Sequence, residues 1–264
     1  MRNSVASQDS LIVKGLRELS LPFTPDQVRL FSAYLTELKK WNKAYNLTSL
    51  KTDEDIVIKH FLDSLLYLRA LPPGEISVLD VGSGAGFPGI PLKIMRPEIG
   101  LYLLEPSWKK ANFLRHIAGT LCLSGVEIIE KRIEDLEPLL VDVAMTRALF
   151  SIPDFSKKAG PFVREGGSLI MSKGPRLYEE VKATKEGIPE HEIMSLILPL
   201  SAMKRHLVII TRKRPPSPAP SPHRSNPRQR VTPEGPNLCI NADCRLRKAG
   251  CRGFEGCPGF QTKS

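Results

Sequence analysis

Residues 77–92 constrain this chain more than any other stretch. Ser77-Val78-Leu79-Asp80-Val81 is a short apolar run carrying one acid, and Gly82, Gly84 and Gly86 follow at alternate positions. Pro88 then leads into a second apolar segment through Leu92. A short apolar run bounded by turn residues predicts a buried strand. The glycines allow a sharp turn and a close approach to a ligand, with no Cβ in the way. The fixed φ of Pro88 suits the first turn of a helix. Strand, tight loop and helix form the opening unit of an open α/β sheet, with a ligand crevice at the strand's carboxyl end.

Two ligands fit such a loop. Gly84-Ala85-Gly86-Phe87-Pro88-Gly89 matches the G-x-G-x-x-G pattern of dinucleotide sites. Asp80-Val81-Gly82-Ser83-Gly84-Ala85-Gly86 instead matches the acid followed by G-x-G-x-G that S-adenosylmethionine enzymes place after a strand. A glycine-rich turn without a ligand is the third reading. The rest of the chain must separate them.

Helical spacing of Leu11, Ile12, Leu16 and Leu19 predicts a helix over about residues 8–20. Thr24-Pro25-Asp26 is a helix start, and Val28, Phe31, Leu35, Leu38 and Trp41 follow on one face. A third helix is expected from Asp53 to Leu71, stopped by Pro72-Pro73-Gly74. After the glycine loop, strands are expected at 101–105, 126–129, 141–145 and 168–171, with helices between them. Segments 193–200 and 206–211 read as a closing antiparallel pair at the sheet edge. Alternating strands and helices imply a parallel sheet with right-handed crossovers. The expected fold is α/β: a Rossmann-like, seven-stranded sheet of the S-adenosylmethionine methyltransferase kind, with N-terminal helices and a flexible C-terminal tail. A dehydrogenase would need a further substrate domain, for which there is no room before Arg212.

The expected division is a helical cap (1–73), a methyltransferase core (74–211), a linker with eight prolines (212–236) and a basic, cysteine-bearing tail (237–264). The chain's net charge is +10, and residues 212–264 account for +8 of it. The body is therefore nearly neutral, and its charge decides little about partners. No run of 18 apolar residues occurs and the N-terminus lacks a signal-peptide core, so a cytoplasmic protein without membrane attachment, and a monomer, is expected. Cys122, in Leu121-Cys122-Leu123, reads as a small buried hydrophobe.

Several residues stand where chemistry would be placed. Glu105 ends the second strand, 19 residues after Gly86, where a carboxylate can accept from both ribose hydroxyls of a nucleoside. Arg132-Ile133-Glu134-Asp135 follows the third strand, where Ile133 can flank an adenine; taken alone it is a solvated turn. Arg147 follows the fourth strand at the crevice mouth, able to meet a carboxylate or phosphate bidentately, or the O6 and N7 acceptors of guanine. Lys173 follows the fifth strand and can neutralise an RNA phosphate. His60 and Asp63 are three apart on a helix and can touch. A catalytic pair is one reading and a locally satisfied histidine the other; no Ser or Cys nucleophile accompanies them.

These residues together resemble a known family, the bacterial 16S ribosomal RNA guanine-N7 methyltransferases, also called RsmG or glucose-inhibited division protein B. The resemblance is carried in order by Asn46-Leu47-Thr48, Lys59-His60-Phe61-Leu62-Asp63-Ser64-Leu65, Asp80 through Pro91, Arg132-Ile133-Glu134, Thr146-Arg147-Ala148 and Lys173-Gly174. It covers about residues 11–211. It implies that Gly82, Phe87, Glu105, Ile133, Glu134 and Arg147 line the S-adenosylmethionine site. It also implies 16S rRNA or a small-subunit particle as partner, with His60 and Lys173 on the substrate side. The target would be a guanine of the 530 loop. Two positions depart from the family pattern: Glu105 stands where aspartate is usual, and Lys59 where arginine is usual, which loses bidentate geometry.

Guanine N7 carries a lone pair in the neutral base, so no general base is required. Arg147 is the candidate for orienting guanine. Two other readings stay open, a non-catalytic RNA- or nucleotide-binding module and an NAD-dependent oxidoreductase. In the tail, Cys239, Cys244, Cys251 and Cys257 fall within 19 residues. Four thiolates suit zinc or an iron–sulfur cluster, though the spacing matches neither template, and no metal is the third reading.

Overall fold

The computed structural model describes residues 2–147, 149–183 and 187–213. The expected linker beyond Lys213 and the tail with Cys239, Cys244, Cys251 and Cys257 lie outside the described residues.

Two helices open the chain, α1 (Arg2–Glu18) and α2 (Pro25–Tyr45). The start of α2 is set by a capping box. Thr24 Oγ1 accepts from Gln27 N at 3.2 Å, and Gln27 Oε1 accepts from Thr24 N at 2.9 Å. One face of α2 buries Val28, Phe31, Tyr34, Leu35 and Leu38. The third expected helix is composite: α3 (Asp53–Ile56), a π-helical turn (Val57–Leu62), α4 (Asp63–Leu65) and a 3-10 turn (Leu66–Arg69). π turns are rare and concentrate at functional sites; this one holds Lys59 and His60.

The sheet then builds as β1 (Ser77–Val81), α5 (Gly89–Met95), β2 (Gly100–Leu104), α6 (Trp108–Thr120), β3 (Val126–Ile129) and β4 (Val141–Arg147). It continues with α7 (Ile152–Ala159), β5 (Val163–Lys173), α8 (Leu177–Ala183), β6 (Glu192–Ile197) and β7 (Lys204–Thr211). The strand order is β3-β2-β1-β4-β5-β7-β6. The first five strands are parallel, and β7 runs antiparallel to both β5 and β6. Lys173 lies opposite His206. The start of β7 therefore sits at the carboxyl edge of β5, on the same side of the sheet as the end of β4.

Side chains alternate across the sheet with the period of two. Val78, Val143, Met145, Ile170 and Leu207 face a cluster that includes Phe31, Tyr34, Phe61 and Phe113 from the helices. Leu79, Val81, Ala144, Leu169, Met171 and Val208 face the other cluster, with Ile152, Phe155 and Leu177. The helices of the N-terminal cap thus share a core with the sheet. No helix among the described residues is long and apolar enough to cross a membrane.

Two local expectations are corrected. Cys122 is exposed. The last turn of α6 closes at Leu121, and Cys122 takes the left-handed position just beyond it, with φ +50°. Its side chain therefore leaves the apolar face that the flanking leucines suggest. Pro88 is the cap of α5 rather than part of its first turn, and the helix begins at Gly89.

Candidate active site

A cavity of about 260 Å³ opens beside the carboxyl ends of β1 and β2. Val81, Leu104, Ile133, Leu149 and Phe150 give it an apolar wall, and Gly82 forms part of its floor. Gly82 has φ +71°, and a Cβ there would collide with Leu149. Lys131, Glu134 and Lys158 bring charge to the cavity, with Lys158 paired to Glu134. An apolar slot with a few polar groups at its rim is the usual form of a small-molecule site.

The glycine loop is held from several sides. Glu105 is buried; its Oε2 accepts from Gly84 N at 2.8 Å, and its Oε1 accepts from Ser107 N at 3.0 Å. Asp80 is also buried, and its Oδ2 accepts from Gly89 N at 2.8 Å. Behind the loop, the Tyr34 hydroxyl donates to Ala85 O at 2.5 Å, and its ring stacks on Phe87 at 5.4 Å. A Cβ at Gly86, which has φ +98°, would come within 2.7 Å of both the Tyr34 hydroxyl and Ile90. Burial pushes the Asp80 carboxyl up to about 7, against the Gly89 hydrogen bond and the Arg147 charge.

These bonds discriminate between the two ligands of the glycine motif. A dinucleotide site needs loop N–H groups aimed at a pyrophosphate. Here the N–H groups of Gly82 and Ser83 go to Leu104 O, and those of Gly86 and Phe87 go to Ser83 O. Gly84 N and Gly89 N are taken by Glu105 and Asp80. Two carboxylates beside the loop also repel phosphate, but they suit a ligand bearing cationic groups and ribose hydroxyls. Asp80 Oδ1 and Ser83 Oγ are buried without a hydrogen-bond partner. Buried polar atoms are ordinarily paired, so the loop retains polar capacity for a ligand. The residues fit S-adenosylmethionine: an apolar wall for its adenine and carboxylates for its hydroxyls and positive charge.

A second constellation stands at the same edge of the sheet. Arg147, at the end of β4, donates to Lys59 O at 3.2 Å and pairs with Asp63 at 3.5 Å. It also meets His60 Nδ1 at 3.1 Å and lies over the Phe87 ring at 5.3 Å. His60 stacks on Phe87, with 4.4 Å between centroids. Since arginine only donates, His60 Nδ1 is the acceptor and its proton resides on Nε2, which reaches Thr48 Oγ1 at 2.7 Å. Burial, and then the Arg147 charge, pull the His60 pKa down to about 3, so this imidazole is neutral. Asp63 is buried and takes a second arginine, Arg205 of β7, at 2.6 Å. Asp63 meets His60 through the backbone, its N–H donating to His60 O, while its carboxylate goes to the two arginines.

The structure thus distributes the candidates from sequence over two neighbouring places. Gly82, Ile133 and Glu134 line the cavity, and Glu105 backs the loop beside it. Phe87, Arg147 and His60 form the second constellation. Lys173 is buried apart from both, with its ammonium 2.6 Å from Phe150 O and 2.6 Å from Glu180. Sequence reasoning missed Leu149, Phe150 and Lys158 on the cavity wall, and Arg205. It also missed Tyr34 and Tyr67. The Tyr67 hydroxyl donates to Thr146 O and accepts from Ser172 N, tying together the ends of β4 and β5.

Fold and site together define an S-adenosylmethionine-dependent methyltransferase. The overall fold is similar to that of a crystallised methyltransferase from Pyrococcus furiosus, with TM-score 0.50 and 14% identity over 69% of this chain and 98% of that one. At the level of sequence, residues 27–208 match the GidB model, described as rRNA small subunit methyltransferase G. A relative of that name from Caldanaerobacter subterraneus subsp. tengcongensis is 39% identical over 76% of this chain and 88% of its own length. Another, from Chromobacterium violaceum, is 37% identical over 74% of this chain and 93% of its own. The chain belongs to the rRNA small subunit methyltransferase G family.

Proposed function

We propose that this chain transfers a methyl group from S-adenosylmethionine to N7 of a guanine in 16S ribosomal RNA, in the 530 loop. The observation that carries the reading is the immobilised Arg147 beside a neutral His60, next to a cavity built for a nucleoside. The cofactor supplies an activated sulfonium methyl group when bound. The chain's own residues then have three tasks. Ile133, Glu105, Gly82 and Glu134 hold the nucleoside end. Arg147 offers planar donors to the O6 of guanine, with its direction fixed by Asp63 and the Phe87 ring. Phe87 and Leu149 exclude water between cavity and cluster.

His60 accepts from Arg147 and is too weakly basic to take a proton. That suits N7, whose lone pair needs no base. Its role is to position Arg147, and through Thr48 to couple it to the loop after α2. Lys173 fixes Phe150 on the wall of the cofactor cavity, and it reaches an RNA phosphate on the substrate side only by exchanging Glu180. A cytoplasmic monomer is the expected form, since no second copy is needed to complete the cavity. The four tail thiols are proposed to hold zinc or an iron–sulfur cluster, which metal analysis of the full chain prepared anaerobically tests.

The deciding experiment is mass mapping of 16S RNA from cells with and without the gene, followed by treatment of the unmethylated RNA with purified protein. One 7-methylguanosine should vanish in the deletion strain and return with wild-type protein, but not with Arg147→Ala. Unchanged 7-methylguanosine in the deletion strain would overturn the reading.

A further inference from the structure

The motif Asn46-Leu47-Thr48 has no part in the cofactor cavity, yet it borders a cavity of its own. This second cavity, of about 350 Å³, is lined by Lys39, Asn42, Lys43, Asn46, Thr48, Leu50 and Lys51. Three lysines, two amides and a hydroxyl converge on it, and its lining includes no acid. Lys39 is paired with Asp53. Lys43 and Lys51 are exposed and have no ion-pair partner among the described residues. Asn42 Oδ1 accepts from Thr48 N at 2.8 Å, which turns its amide nitrogen away as a donor. Lys43 sits in the last turn of α2, where a cation complements the helix dipole. That accounts for Lys43 but not for Lys51, which comes from the following loop.

Two amides and a hydroxyl with exposed, unpaired ammonium groups beside them suit a phosphate-bearing polyanion. Its position identifies which one. Thr48, on its wall, bonds His60, which bonds Arg147 at the crevice mouth. Cavity, histidine and arginine thus form one continuous path. We propose that this basin binds the phosphodiester backbone of the RNA strand whose guanine enters the crevice, with Lys43 and Lys51 as phosphate ligands. The proposal rests on the rRNA methyltransferase reading and names a substrate contact that this reading leaves open.

The test measures binding of in vitro transcribed 16S rRNA to the full chain across a salt series. Removing one lysine–phosphate pair on single-stranded RNA lowers the salt slope by about 0.7. Lys43→Gln/Lys51→Gln should lower it by about 1.4 and weaken binding by about tenfold at low salt. Its KM for RNA should rise, with kcat and S-adenosylmethionine affinity kept. Lys157→Gln/Lys182→Gln removes two exposed lysines of α7 and α8, whose apolar residues pack on the other face of the sheet, and should change both quantities far less. An unchanged slope in the first variant, or an equal decrease in both, overturns the proposal. The parent reading fails separately, if wild-type protein transfers no methyl group to 16S rRNA. A lysine-dependent slope would still support the basin in that case.

Discussion

The cofactor cavity and the arginine cluster share one sheet edge but are made by different means. The cavity is built around a strand end, its glycine loop, the next strand end and the turn after β3, and is closed by Leu149, Phe150 and Lys158 from beyond β4. Its polar contacts are mostly backbone N–H groups donating to Asp80 and Glu105. The cluster is assembled from distant segments, with Asp63 paired to Arg147 and Arg205 across the whole fold. Its contacts centre on a buried carboxylate between two arginines, with a neutral histidine and an aromatic ring beside them. Backbone bonds to two carboxylates thus dominate beside the cavity, and long-range ion pairs dominate the cluster. The two should fail independently.

Asp63→Ala should separate them most clearly. It leaves two arginines without their buried counter-charge, and breaking such a pair costs about 3 kcal/mol. A lower midpoint in thermal or denaturant unfolding, with methyl transfer abolished and S-adenosylmethionine affinity nearly kept, is the expected pattern. A drop in cofactor affinity as large as the drop in activity would merge the two regions into one. Glu105→Ala is the reverse probe. It removes the acceptor of two backbone N–H groups, and calorimetry should show cofactor affinity down by at least about tenfold, ~1.4 kcal/mol. Arg147 should keep its partners, which the ring signals of a neutral His60 in NMR would report.

Gly82→Ala imposes a Cβ on a residue with φ +71°, at about 1–2 kcal/mol, and pushes Leu149 into the cavity. Weaker cofactor binding with RNA affinity unchanged would keep the two regions distinct. A further probe is pH. The folded state raises the Asp80 carboxyl from 3.8 to about 7. Its contribution to stability is therefore whole below pH 4 and is lost as pH rises through 7. Asp80→Asn should flatten that decline in unfolding experiments between pH 4 and 8. A cationic cofactor favours the ionised acid, so wild-type affinity should rise between pH 6 and 8, and the variant's should not. Folding lowers His60 from 6.5 to about 3, which adds an opposing rise in stability between those values, so the Asp80 contribution is read as the difference between wild type and variant.

Much of the sheet could be read from residues alone, because Val78-Leu79 and Val141 through Met145 alternate between two faces that both need apolar side chains. The start of α2 was legible for a local reason, the run Thr24-Pro25-Asp26, and the structure adds the Gln27 half of the capping box. The glycine loop and Glu105 were legible because their spacing is fixed by backbone geometry. The π turn was not, since its apolar pattern is that of any helix. Nor were Arg205 and Tyr34, whose partners lie 142 and 51 residues away. Cys122 misled because its neighbours are apolar while its own backbone is left-handed.

The bond from Asp63 to Arg205 has a consequence for how the protein comes into being. Every cavity-lining residue lies between positions 81 and 158, so the cavity's sequence is complete well before β7 has been translated. The arginine cluster waits for residue 205 to leave the ribosome, because until then Asp63 lacks one of its two counter-charges. Chains emerge at roughly 5–20 residues per second, so the interval lasts seconds. During that time every cavity-lining residue has been made while the arginine cluster still lacks one member. β7 therefore completes the cluster, and a chain cut short before it leaves Asp63 with one arginine instead of two.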